Sequence, residues 1–243
     1  MAPFIKRPGG PLATRPLYFF WIVDCSGSMY GEKIGAVNTA IEETIPEMRS
    51  AADNNPEAQL YVRVLKFSSG AEWVTAQPEP IKTFTWKPLD VGGLTDLGKA
   101  LDLLADQLDL TNIGERALPP VLVLLSDGQP TSEYKTALSR LLHSPWGKRA
   151  VRIAISIGRG ADDDMLAEFT GNKEMVLQAN NSKDLVNAIR WSSTLAAVVS
   201  TPASRRVTDG GDAQYIATPG VTIDASTMPV TTADTDSDSD DVW

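Results

Sequence analysis

The strongest constraint in the sequence is the run Leu17-Tyr-Phe-Phe-Trp-Ile-Val23, seven apolar residues closed at once by Asp24. A strand with one wet face alternates apolar and polar residues, and this run offers no polar position to water. It must be buried on both faces, so it predicts a central strand of a mostly parallel sheet with helices packed above and below. Asp24 then stands at the strand's carboxyl end, where open α/β sheets gather their ligand-binding loops.

The following 180 or so residues repeat that logic, alternating short apolar runs with segments of helical period. Ile34, Val37, Ile41 and Ile45 predict a helix from about Glu32, which Pro46 is expected to kink or restart. Gln59–Phe67 and Ala71–Ala76 flank Ser68-Ser69-Gly70 and read as a hairpin carrying one antiparallel edge strand. Leu97, Leu101, Leu104 and Leu108 mark a second helix over 96–110. Strands at 121–125, 151–157 and 175–178 then alternate with helices near 132–142, 163–169 and from 182, the last with Ser182 as its N-cap. The fold class expected is therefore α/β, a doubly wound, mostly parallel, Rossmann-like sheet with helices on both faces.

Residues 17–199 form this one domain. Residues 1–16 hold Pro3, Pro8, Pro11 and Pro16 with Gly9 and Gly10, a leader too rich in breakers for a regular element. Residues 200–243 lose both periodicities and end in alternating Asp, Ser and Thr, a composition expected to be disordered.

Charge and composition exclude several classes. The 31 acidic against 22 basic residues leave a formal charge of −9, which disfavours a non-specific hold on nucleic acid or anionic lipid. Residues 201–243 carry eight Asp and two Arg, so most of that charge lies in the tail. One cysteine, Cys25, and one histidine, His143, exclude a disulfide framework and cysteine- or histidine-rich metal centres. No apolar run approaches the length of a signal sequence or membrane span, so the expected location is the cytoplasm, away from membranes.

Three patches share a stock of oxygen donors. Asp24-Cys25-Ser26-Gly27-Ser28-Met29 follows the first strand, Gly92-Gly93-Leu94-Thr95-Asp96 opens a helix, and Ser126-Asp127-Gly128 ends the Val121 strand. If the first strand and the Val121 strand are neighbours, Asp24 and Asp127 meet at one crevice. The hydroxyls of Ser26, Ser28 and Thr95 and the carboxylates of Asp24 and Asp127 are all hard donors, which favours Mg²⁺, Ca²⁺ or Mn²⁺ over zinc or copper. A site built largely from hydroxyls leaves such a cation under-neutralised and open to one more carboxylate.

The ordered triple Asp24-x-Ser26-x-Ser28, Gly-Gly-x-Thr95-x-x-Gly-x-Ala-Leu and Asp127-Gly resembles the metal-ion-dependent adhesion site (MIDAS) of von Willebrand factor type A (VWA) domains. The resemblance covers 17–199. It implies that Ser26 and Ser28 bind the metal directly, that Thr95 joins in a ligand-engaged state, and that Asp24 and Asp127 act directly or through water. The phrase Asp-x-Ser-Gly-Ser-Met-x-Gly-Glu with Ala36-Val37-Asn38, preceded by Pro11-Leu12-Ala13-Thr14-Arg15-Pro16, is further similar to the bacterial tellurium-resistance TerY-type branch. That branch implies a protein kinase and a PP2C-type phosphatase as partners, although Cys25 here replaces its usual threonine.

The same residues allow plainer readings. Thr95 can simply cap the helix that Asp96 opens, and Ser126-Asp127-Gly128 can be an ordinary turn. Cys25 as a phosphatase nucleophile would require Arg at 31, where Gly31 stands; an aspartyl-phosphate loop on Asp24 would want Asp at 26, where Ser26 stands. There is no phosphate loop of the GxxxxGK[ST] type. His143 is expected to cap carbonyls or meet solvent at a helix end. Arg149, Arg152 and Arg159 are expected to solvate strand ends, and Trp86 to pack rather than face a partner. The function expected is a non-catalytic, Mg²⁺-dependent protein-interaction module in a bacterial stress, tellurite-resistance or signalling system, engaging a partner's Asp or Glu. A metal-dependent phosphohydrolase using Asp24 and Asp127, and a metal-independent scaffold recruiting through the acidic tail, are the alternatives; the tail itself reads most simply as a solubilising charge run, or else as a flexible ligand segment or a phosphoacceptor region at Thr235, Ser237 and Ser239.

Overall fold

The computed structural model describes residues 14–55, 57–131, 133–200, 215–218, 221–224 and 228–229. The leader through residue 13 and most of the acidic tail lie outside the described residues. Strand β1 (Arg15–Asp24) leads into a 3₁₀ turn over Gly27–Met29 and helix α1 (Glu32–Asp53). Three strands follow, β2 (Ala58–Phe67), β3 (Ala71–Trp73) and β4 (Glu79–Pro80). Helices α2 (Leu97–Gln107) and α3 (Leu110–Ile113) precede β5 (Val121–Ser126) and α4 (Lys135–His143). Then come β6 (Val151–Ile157), α5 (Asp163–Thr170), β7 (Val176–Ala179) and α6 (Ser182–Ser200).

The sheet runs β3-β2-β1-β5-β6-β7, with β4 also pairing β2. All pairs among β2, β1, β5, β6 and β7 are parallel; β3 and β4 run antiparallel along the outer edge of β2. The segment read as one edge strand over 71–76 is thus a short β3, with β4 adding a second short pairing further along the same edge. Because β1 is followed by β2 on one side and has β5 on the other, the winding reverses between β1 and β5. That is the switch point at which ligand crevices form.

The apolar run of β1 feeds two cores in alternation. Phe19, Trp21 and Val23 join Val37 and Ile41 of α1 and Leu185 and Ile189 of α6 on one face. Phe20 and Ile22 join Leu97, Leu101 and Leu104 of α2, Leu141 of α4 and Phe169 of α5 on the other. With every residue of Phe19–Val23 at 0% exposure, each such side chain contributes about 2 kcal/mol of transfer free energy.

Two local expectations are corrected and one is narrowed. Helix α1 runs through Pro46 as one element and does not restart there, with Ile41, Ile45 and Met48 buried on either side of it. The cap of α6 is Asn181, whose Oδ1 accepts from the Asp184 backbone N–H at 2.9 Å, and Ser182 is already helical. Arg152 does not solvate a strand end: its guanidinium donates to the carbonyls of Phe169, Gly147 and Thr170, and burial lowers its pKa. In the region after 200, β8 (Tyr215–Thr218) and β9 (Val221–Asp224) pair as an antiparallel hairpin that the sequence pattern did not suggest. Met228 packs against the α1/α6 core. Among the described residues no helix is long and apolar enough to cross a membrane.

Candidate metal centre

The crevice is assembled by the ends of β1 and β5. Their register pairs Val23 with Leu125, which brings Asp24 beside Ser126. Ser126 Oγ donates to Asp24 Oδ2 at 2.7 Å, and the Ser26 backbone N–H donates to Asp24 Oδ1 at 2.8 Å, so both oxygens of this fully buried carboxylate are held by neutral donors. Its pKa is raised above the ordinary aspartate value, chiefly by burial and further by the nearby Asp127 charge. The hydrogen bonds from Ser126 and Ser26 pull the other way.

After Asp24 the chain turns through Cys25 into the 3₁₀ turn, and this places Ser26 and Ser28 side by side. Their hydroxyl oxygens are 3.0 Å apart, and Ser28 Oγ donates to Asp127 Oδ1 at 2.7 Å. Ser26, Ser28 and Asp127 are therefore one continuous hydrogen-bonded chain, beside Asp24. On the second oxygen of Asp127 stands Lys33, whose Nζ is 2.7 Å from Oδ2. Lys33 escaped the sequence reading, yet it carried a signal: a lysine in the first turn of a helix opposes the helix dipole and calls for a specific partner.

The second loop is fastened to the first through its backbone. Gly27 N–H donates to Gly93 O at 3.0 Å and Gly92 N–H to Cys25 O at 2.8 Å. Gly93 has φ +90, and a Cβ there would stand 2.4 Å from Ser69 Oγ, so glycine is required by both conformation and space. Thr95 is buried in this loop. Its backbone N–H donates to Thr131 Oγ1 at 3.1 Å and its carbonyl accepts from Thr131 N–H at 2.9 Å, while its hydroxyl stays outside the Ser26, Ser28 and Asp127 chain. The capping role falls to Asp96, whose Oδ1 accepts from the Lys99 backbone N–H.

The donor set fits a hard cation. Two carboxylates and two hydroxyls converge, and among the described residues no group of three or more His, Cys, Asp or Glu side chains is placed to hold a metal. Cys25 is buried and its thiol is pushed up to about 12, by burial first and the Asp24 charge second, so it is a core residue and not an activated thiolate. His143 is exposed, with Nδ1 2.7 Å from the Ser139 carbonyl at the end of α4. Trp86 is buried, its indole N–H donating to Asn38 Oδ1 at 3.1 Å.

A doubly wound sheet carrying carboxylates and hydroxyls at its switch point defines a class of α/β ligand-binding domain. The model of the von Willebrand factor type A domain matches residues 20–190, and the chain belongs to that family. Domains of this family are typically metal-dependent protein-interaction modules and generally non-catalytic. Among solved structures, a von Willebrand factor type A protein from Catenulispora acidiphila aligns over 76% of this chain and 43% of its own, at 16% identity and TM-score 0.56. Proximal thread matrix protein 1 from the mussel byssus, in a form with a zinc-occupied MIDAS motif, aligns over 76% and 46%, at 18% identity and TM-score 0.52. The pilus adhesin SpaC of Lactobacillus rhamnosus GG, in an open conformation, aligns over 77% and 30%, at 13% identity and TM-score 0.61. At such identities the likeness establishes the fold, and this chain spans less than half the length of each of these proteins. Among curated proteins none matches the sequence.

Proposed function

We propose that this domain is a divalent-metal-dependent protein-interaction module, with Asp24, Ser26, Ser28, Thr95 and Asp127 as the residues that hold Mg²⁺, or Ca²⁺ or Mn²⁺ in its place. The observation that carries the reading is the convergence of two buried carboxylates and two adjacent hydroxyls at the switch point of the sheet. A structural relative holding zinc at its own MIDAS supports a divalent cation in a site of this fold. When bound, the cation supplies a positive pole with room for an oxygen ligand from outside the chain. The chain's residues do the rest. Ser126 and the Ser26 N–H keep Asp24 oriented, Ser28 ties Asp127 to the hydroxyl pair, and the Gly27–Gly93 bond carries Thr95 alongside.

The partner is then a protein that presents an Asp or Glu. On the resemblance to the tellurium-resistance branch, we place the domain in the bacterial cytoplasm, in a stress or signalling system, with an associated protein kinase and PP2C-type phosphatase as first candidates. The test is capture of partners from the native cell with Mg²⁺ or with EDTA, by wild type and Ser28→Ala. Partners retained only by wild type in Mg²⁺ are the expected result. Equal retention in all conditions would overturn the metal-dependent reading.

A further inference from the structure

The two carboxylates of the crevice are compensated differently, and Lys33 makes the difference. Asp24 receives neutral donors on both oxygens. Asp127, whose side chain is fully buried, receives one hydroxyl and one ammonium. Resting on the metal-site reading above, the geometry points to Lys33 as a resident counter-cation, which holds Asp127 in the metal-free protein and sets how strongly the crevice attracts a metal.

Charge counting gives the consequence. Asp24, Asp127 and Lys33 together carry −1; without the lysine the crevice would carry −2. Residues that would hold a divalent cation thus include a carboxylate already in contact with Lys33, whose Nζ is 2.7 Å from Asp127 Oδ2, so the ammonium charge would oppose such a cation from well inside the screening distance of about 8–10 Å in physiological salt. Lys33 weakens metal binding, and in return the loaded crevice carries +1 instead of zero. That residual charge is what a partner's carboxylate requires, so metal affinity is exchanged for attraction of an anionic partner. Its side chain keeps 21% of its surface in solvent, so its charge can also be met from outside the crevice.

The experiment is calorimetric titration of the full chain with Mn²⁺ and Mg²⁺ alone, comparing wild type, Lys33→Gln, Lys33→Arg and Asp24→Asn. Glutamine keeps a donor for Asp127 and removes only the charge. Lys33→Gln is expected to bind metal about tenfold more tightly than wild type, since a repulsive unit charge at close range is removed. Lys33→Arg is expected to stay near wild type. Thermal unfolding in EDTA and in saturating Mg²⁺ gives a second readout, with a larger metal-induced rise in Tm for Lys33→Gln than for wild type. Unchanged or weaker metal binding by Lys33→Gln, with wild type binding and Asp24→Asn not, would overturn this role while leaving the metal site intact. Absence of metal binding by wild type, or equal binding by Asp24→Asn, would overturn the metal-site reading itself, and this role with it.

Discussion

Two regions of the sheet bury charge, and they do so for opposite ends. At the β2 edge, Arg63 is buried with its donors matched to acceptors. Nε and Nη2 reach the carbonyls of Thr75 and Ala76, Nη1 reaches Gln107 Oε1, and the guanidinium lies 3.8 Å over the Trp73 ring. Donors meet acceptors and the ring's negative face, so the cluster is closed and needs nothing from outside. At the switch point, two carboxylates share one crevice. Their oxygens accept from Ser126 Oγ, the Ser26 N–H, Ser28 Oγ and Lys33 Nζ, so the hydrogen bonds are met while the charge is balanced only in part, Lys33 being the one cation paired there among the described residues. A complementary cluster fastens structure; a cluster of like charge is, on the proposed reading, completed by a cation.

Substitutions can break that contrast. Arg63→Ala should cost the most stability, about 3 kcal/mol by urea unfolding, because it leaves the Thr75 carbonyl and Gln107 Oε1, both on buried residues, without their donor and removes the cation stacked on Trp73. It should leave metal affinity unchanged. Asp24→Asn should do the reverse, lowering Mn²⁺ affinity by about 100-fold in calorimetric titration. In EDTA it should be no less stable than wild type, since the Asp24 pKa is raised by burial. The sign follows from linkage: a raised folded pKa means that the contribution of this group to stability is complete below the ordinary aspartate range and is lost as pH rises through the folded value. Removing the charge removes that loss. Wild-type stability falling in parallel with Asp24→Asn as pH rises from 3 to 7 would contradict this assignment.

Gly93→Ala tests the joint between the loops. The strained φ and the contact with Ser69 should cost about 1–2 kcal/mol and weaken metal binding without abolishing the fold, measured by thermal unfolding and titration on the same protein. The smallest effect is expected at Cys25. Its buried, high-pKa thiol should react with a disulfide reagent at pH 8 many times more slowly in the native protein than in denaturant. Fast native modification would show that the β1 loop opens far more readily than its hydrogen bonds suggest.

Much of this was legible in residues alone. The strand Val151–Ile157 and the start of β5 at Val121 follow from apolar runs, and the helix faces from their leucine spacing. The donors Asp24, Ser26, Ser28 and Asp127 were legible as chemistry and as a family pattern. Lys33 was not: a lysine in the first turn of a helix signals that it needs a partner, but only the fold shows that the partner is Asp127. The role of Arg152 is likewise decided by the fold. An arginine in an apolar strand reads as an end group, and only the helix termini packed against β6 show the carbonyls it satisfies.

The sequence by itself determined that β1 lies in the middle of a covered sheet and that two carboxylates leave the core at strand ends. Burial periodicity is local, each run reporting its own surroundings within a few residues. Strand order is not local. Asp24 and Asp127 lie about a hundred positions apart, and their meeting depends on β5 pairing with β1 across intervening α1, β2, β3, β4, α2 and α3. Only the tertiary structure decided that the winding reverses there, that Ser126 steadies Asp24, and that Lys33 rests on Asp127. Those are long-range pairings, chosen by the packing of the whole sheet and its two helical faces.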